Sequence, residues 1–189
     1  MKKNKTFHNL YHLNSEQSAY MVEVSLEDYS ELFNGWDASP LRRKDLEPEL
    51  VDYLEQAGAE IPLKETIELV FYLPKELKDA DKQQKSLTGI KNHLKVVLMF
   101  IDKTLYRSYR QSVTYIVLST LFLLAAYLLR NSADVSLLFS IMVEGLFIGG
   151  WFLLWNAFSV FFFTSHETRI RRKIFKRYLN SEITFKDAA

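Results

Sequence analysis

Residues 135–163, VSLLFSIMVEGLFIGGWFLLWNAFSVFFF, most limit what this chain can become, because they carry a single ionisable side chain, Glu144. A helix of a soluble core is seldom so long and so apolar all round. About 20 helical residues cross the hydrocarbon of a bilayer, so this run spans it with a turn or more to spare, by tilting or by reaching into the headgroups. It reads as a transmembrane helix, with Glu144 inside the membrane.

A second apolar run, residues 112–130, ends at Arg130 and is close to the minimum length for a span. Only residues 131–134 separate the two, so they are expected to pack as an antiparallel hairpin. Lys95, Lys103, Arg107 and Arg110 precede the first run, and Arg169, Arg171, Arg172, Lys173, Lys176 and Arg177 follow the second. The positive-inside rule places these flanks in the cytoplasm and the short connection outside, which puts both termini in the cytoplasm. The net charge of +1 hides this asymmetry.

A chain of 189 residues leaves room for one small soluble domain beside the spans. Residues 1–18 are polar, lack periodicity and read as a mobile tail without a signal-peptide core. From Ala19, Tyr20, Val22, Val24 and Leu26 alternate with polar positions, the pattern of a half-buried strand. A short helix is expected directly after it, with Ser25 and Asp28 in an N-cap arrangement, Leu26, Tyr29 and Phe33 at helical spacing, and Asn34-Gly35 as its stop. A loop over residues 36–44 leads to a second helix starting at Asp45, with Pro48 in its first turn, a Leu46, Leu50, Leu54, Ala57 stripe, and Gly58 as its end.

TIELVFYL, residues 66–73, is β-branched, aromatic and nearly continuous in apolar character, the mark of a strand buried on both faces. Residues 75–86 are charged and expected in solvent. From Gly89, Ile90, Leu94, Val97, Ile101, Leu105 and Tyr109 recur at helical spacing. Residues 96–101 alone also suit a strand, but the stripe extends beyond them on both sides and favours helix. The fold class expected is therefore an α+β membrane protein. Its cytoplasmic α/β domain, residues 19–88, has about two strands and two to three helices, joined by an amphipathic helix over 89–111 to spans at 112–130 and 135–163, with a basic cytoplasmic segment at 164–189. Two strands alone are marginal, so packing on the long helix or self-association is expected to complete the sheet.

Few residues point to chemistry. Glu144 sits about ten residues from the outer connection, roughly 15 Å down the helix and near the midplane. A carboxylate there is costly in lipid and faces protein or water, serving inter-helix hydrogen bonding, proton relay or an ion path. Ser119 and Thr120 on the first span reach similar depth and are its expected partners. Gly145 and Gly149 form a G-x-x-x-G pair beside it, with Gly150 adjacent, a spacing that lets helix backbones approach closely. The basic run from Arg169 to Arg177 suits anionic headgroups or an acidic partner, although membrane orientation alone accounts for it.

Other classes find no support. His8 and His12 lack a third ligand, and the chain has no cysteine, so neither a metal site nor a disulfide is expected. No P-loop, dinucleotide turn, zinc-protease motif or nucleophile elbow is present, which leaves no catalytic residue and no cofactor to name. The basic residues lie beside the membrane and are not gathered on the soluble domain, which argues against nucleic acid.

Two motifs carry a resemblance: NGWDASPLRRKDLEPELVDYL, residues 34–54, and EGLFIGGWFLLWNAFSVFFF with its following basic helix, residues 144–177. Together they resemble a family of uncharacterised bacterial membrane proteins with a small cytoplasmic domain, a helix entering a two-span hairpin, and Glu-Gly ahead of Ile-Gly-Gly-Trp in the second span. Where that pattern tends to have Arg-Pro after Trp155, this chain has Asn156-Ala157. The resemblance implies bacterial origin and a shared architecture, and no activity.

The leading expectation is a non-enzymatic membrane protein that works by oligomerisation as a scaffold or membrane effector, with the bilayer, further copies of itself and a cytoplasmic protein as partners. A proton- or ion-conducting oligomer built on Glu144 is second. An enzyme acting on a lipid or nucleotide through the cytoplasmic domain is third.

Overall fold

The computed structural model describes residues 10–15, 18–130 and 136–188. The expected external loop, residues 131–134, residues 1–9 of the expected tail, and His8 with them lie outside the described residues. The chain is mostly helical, with a small four-stranded mixed sheet and two helices long and apolar enough to cross a membrane. It divides into two compact units, one built from residues 1–100 and 171–189, the other from 101–170.

The first unit holds β1 (Leu13–Asn14), β2 (Ala19–Ser25), a 3-10 turn (Tyr29–Leu32), α1 (Pro48–Glu60), β3 (Thr66–Leu73) and β4 (Glu182–Asp187). It also takes the start of α2 (Ala80–Leu129) and the end of α4 (Ser165–Asn180). Sheet order is β1-β2-β3-β4; β1 runs antiparallel to β2, and β2, β3 and β4 are parallel. Lying between two parallel neighbours, β3 buries Leu69, Val70 and Phe71 completely, as its continuous apolar run anticipates. Phe71 stacks on Phe185 of β4 at 5.3 Å, and Phe185 meets Tyr29 at 5.7 Å.

The second strand face is polar and self-satisfied. Glu68, 2 % exposed, accepts from Asn14 Nδ2 at 2.8 Å and Thr184 Oγ1 at 3.1 Å, and Lys186 Nζ stands 3.7 Å away. Glu23 accepts from Tyr72 at 2.7 Å and meets His12 Nδ1 at 2.8 Å. These contacts stitch together strands far apart in the chain.

Four expectations need correction. The sheet has four strands, not two: β1 lies within the expected tail, and β4 lies within the expected basic C-terminal segment. A two-residue strand has no period to detect, and β1 is held by non-local bonds such as Met21 N–H to His12 O at 2.8 Å, with Ser18 at φ 51° turning the chain into β2. In β4, Ile183 and Phe185 alternate with Glu182, Thr184 and Lys186, a period-2 signal present but brief.

The long helix starts at Ala80, well before Gly89, because the Asp79 carboxylate accepts from the Asp81 N–H at 2.9 Å and the Lys82 N–H at 3.1 Å and so caps it. Residues 96–101 are helical, as the stripe favours. Finally, α1 starts at Pro48 and runs past Gly58 to Glu60. Gly58 is a contact point: a Cβ there would lie 2.5 Å from Ile174 Cγ2 and 3.0 Å from Tyr178 Cε2 on α4.

The parallel β3–β4 pair fixes the topology. Parallel neighbours need a crossover connection, and here everything from residue 74 to 181, the second unit included, forms it. Ending the chain at Ser181 should therefore unfold the first unit where loss of a tail would not. Ile183 alone, 8 % exposed, contributes about 1.5–3 kcal/mol by burial. Limited proteolysis checks this: wild-type resistance in the shortened chain would show β4 to be dispensable.

Candidate functional site

In the second unit, α2 packs against α3 (Leu137–Ser159) along a seam of small residues. Leu105, Ser112, Ser119 and Ala126 are buried on α2, and Val143, Gly150 and Ala157 on α3. Each set recurs every seventh residue, the repeat that keeps one stripe of a helix facing its neighbour. Gly150 permits a close approach of the two helices, since a Cβ there would lie 2.7 Å from Leu123 Cγ and 3.3 Å from Leu123 N. Ser119 Oγ donates to Gly150 O at 2.7 Å, tying the helices at the same level. Close packing and this hydrogen bond both act across the contact between the two apolar helices.

This arrangement revises the expected environment of Glu144. Ser119 donates to Gly150 O, and Thr120 Oγ1 donates to Ile116 O of its own helix at 2.8 Å, so neither hydroxyl serves the carboxylate. A helical hydroxyl readily bonds a carbonyl four residues back or a backbone in close contact, and Gly150 supplies that contact. Glu144 is exposed, one position off the seam, and among the described residues no hydrogen bond or ion pair reaches it. Ile148, Trp151 and Trp155 follow it at i+4, i+7 and i+11, all exposed, which makes one continuous uncovered stripe.

The three glycines also separate. Gly150 is on the seam, Gly149 flanks it with a Cβ site 3.4 Å from Phe122 Cδ2, and Gly145 has nothing within 4 Å of its Cβ site. The G-x-x-x-G pair therefore does not act as one contact within the chain, and Gly145 stands free beside Glu144. The seam was the signal to read: Ser112, Ser119 and Ala126 at heptad spacing facing Val143, Gly150 and Ala157.

After α3, a π-helical turn (Val160–Thr164) leads into α4. Ser165 Oγ donates to Val160 O at 3.0 Å, and Arg169 donates to Ser165 O at 3.0 Å and Phe161 O at 3.3 Å, so side chains satisfy carbonyls around the widened turn. The basic segment is thus less available to lipid than expected. Within the first unit, Arg171 pairs with Glu55 at 2.9 Å and lies over the Phe175 ring. Arg177 donates to Gly58 O at 2.5 Å, Ile61 O at 3.2 Å and Pro62 O at 2.9 Å, capping the carbonyls at the end of α1. Half-buried Arg172 is engaged as well, and only Lys173 and Lys176 of this group are both exposed and without an assigned contact.

The first unit also carries an open cleft of about 450 Å³ between the end of β2 and the start of α1, lined by Glu23, Glu31, Glu47, Glu49 and Tyr53 among others. Glu47 and Glu49 sit where a helix N-terminus favours negative charge, and Glu31 accepts from the Glu27 N–H at 2.8 Å. No group of three metal-ligating side chains occurs among the described residues.

The chain matches no family model, no curated protein and no solved structure.

The seam and the free stripe make opposite demands on substitution. Gly150→Leu should lower the melting temperature in detergent, since overpacking at Leu123 costs about 1–3 kcal/mol or more. Gly145→Leu meets nothing and should melt with wild type. Equal destabilisation by both would contradict the assigned faces.

Proposed function

We propose that the protein is a bacterial inner-membrane protein with a two-span hairpin, its α/β unit and both termini cytoplasmic, that acts without catalysis as a scaffold or membrane effector through self-association. Support for the hairpin comes from the topology: residues 1–100 and 171–189 make one unit, so the chain must leave it and return. Two crossings satisfy that, and one does not. The apolar windows of α2 and of the helix following residue 136 have a mean hydropathy of 2.0 and are only 17 % and 11 % buried, whereas a soluble protein would bury such helices. The Lys and Arg residues flanking both spans favour the cytoplasmic side for the α/β unit.

Glu144 carries the self-association reading. In hydrocarbon its carboxyl group is costly unless it faces protein or water, and among the described residues no side-chain partner reaches it. Gly145 beside it permits close approach of another backbone, and Ile148, Trp151 and Trp155 extend an uncovered surface along the same helix. A second copy meeting this stripe about a two-fold axis places the two Glu144 groups together.

A proton- or ion-conducting oligomer is the second reading, favoured by the same carboxyl group inside a span. Gly145→Leu separates assembly from folding: native mass in detergent and in lipid should fall while the melting temperature holds. Wild type that is monomeric in both media refutes self-association. Glu144→Gln keeps size and hydrogen bonding and should preserve assembly, whereas Glu144→Leu should weaken it. Flux in liposomes then divides the two readings, because conduction through Glu144 stops in the Gln variant, and a scaffold gives no flux even in wild type.

Topology has its own check. A cysteine replacing Ser136 should react with an impermeant thiol reagent outside intact cells, and one replacing Ser181 should not. The reverse pattern overturns the cytoplasmic assignment.

A further inference from the structure

The two edges of the sheet differ in how they end. On one side β2 is covered by β1, which is two residues long and antiparallel to it. A very short edge strand is one way a protein keeps a sheet from pairing with another chain. On the other side β4 runs for six residues, and among the described residues no strand lies beyond it. An edge of that length offers a row of backbone donors and acceptors to an incoming strand.

The register fixes which groups face outward. The Ala188 N–H donates to Leu73 O at 2.8 Å, so by alternation Glu182, Thr184 and Lys186 also turn their backbone groups toward β3. Ile183 and Phe185 therefore turn theirs to the outer edge, where no hydrogen bond reaches them among the described residues. The Phe185 side chain stacks on Phe71, yet it stays partly exposed where Phe71 is fully buried.

Few registers let this edge meet its own reverse. Outward-facing residues must oppose outward-facing residues, so the two-fold centre falls on a residue and not between two. A centre on Ile183 drives Lys186 against Asn180, the last residue of α4. A centre on Phe185 sets Ile183 opposite the Asp187 carboxylate. A centre on Thr184 sets Ile183 opposite Phe185 and Glu182 opposite Lys186, each twice by symmetry. Aliphatic–aromatic and opposite-charge pairs of this kind stabilise antiparallel strands. Lys186 stands 3.7 Å from Glu68 with 41 % of its side chain still exposed. Glu182 is exposed and engaged within its own chain, and a carboxylate accepts from more than one donor.

We propose that β4 pairs antiparallel with β4 of a second copy about Thr184, joining the two sheets edge to edge. The self-complementary order of Glu182 and Lys186 selects a second copy as the occupant. The contact is small, since Ile183 and Phe185 exchange about four backbone hydrogen bonds across the two-fold axis. So few bonds do not offset the cost of association between freely diffusing molecules. The pairing therefore rests on the self-association proposed above: copies already held together present their edges to each other at high effective concentration.

The chain has no cysteine, so single introduced thiols report this contact by oxidative crosslinking of the full chain in lipid. Opposed residues that exchange no hydrogen bond stand about 4.5 Å apart at Cα, within disulfide reach. Thr184→Cys should crosslink to its own copy, and Ser39→Cys, exposed on the same unit, should not. Thr184 donates to Glu68, so a second test leaves it in place: Glu182→Cys chains mixed with Lys186→Cys chains should crosslink, while neither does so alone. Adding Glu182→Lys to the Thr184→Cys chain sets like charges opposite each other and should lower its crosslinking severalfold. An oligomeric native mass with no crosslink at Thr184→Cys or in the mixture overturns the edge pairing and leaves self-association standing. A monomeric mass overturns both. Equal crosslinking at Ser39→Cys and Thr184→Cys reports chance collision, and Glu182→Cys crosslinking to itself reports another arrangement; either result overturns the proposal.

Discussion

The parallel pairing of β4 with β3 is the constraint on which the rest of this molecule depends. Six register pairs, from Glu68 opposite Glu182 to Leu73 opposite Asp187, bring the last strand beside a central one more than a hundred residues earlier. Parallel strands cannot be joined by a tight turn, so the intervening chain had to become an excursion that returns. The start of α2 and the end of α4 belong to the same unit as the sheet, which makes the apolar helices an insertion within one crossover. The two apolar helices therefore leave that unit and return to it, before any charge rule is consulted.

Within the insertion, small side chains set helix separation and polar atoms set register. Ser119 and Gly150 do both at one level, a hydroxyl reaching a carbonyl that only a missing side chain leaves accessible. A polar group in an apolar environment is stable when its partner is local and costly when it has none. Ser119 and Thr120 have local partners, and among the described residues Glu144 has none. The contrast directs attention to the uncovered stripe of α3 and away from the packed seam.

The arginines after the apolar helices illustrate how composition overstates availability. Six basic residues between Arg169 and Arg177 look like a headgroup-binding cluster, yet Arg169 serves carbonyls around the π-helical turn and Arg177 those at the end of α1. Helix ends expose carbonyls that need donors, and guanidinium groups with several N–H donors suit that task better than lysine. Lys173 and Lys176 remain exposed.

Periodicity and length made much of this legible from the sequence alone: both apolar runs, the strands at β2 and β3, the double burial of β3, the helix at α1 and the helical character of residues 96–101. Each rests on local repetition, which a linear reading captures. Only the tertiary structure could decide what depended on distant partners. β1 and β4 are strands because the backbones of β2 and β3 receive them, and neither is long enough to declare itself. Gly58 and Gly89 look like a helix stop and a helix start, but they lie inside helices, where Ile174 and Leu41 press against them. Glu144 was conspicuous as a lone carboxylate. That no partner reaches it among the described residues was not, because that follows from where Ser119 and Thr120 direct their hydroxyls, and hydrogen-bond direction is set by the packed fold and not by residue order.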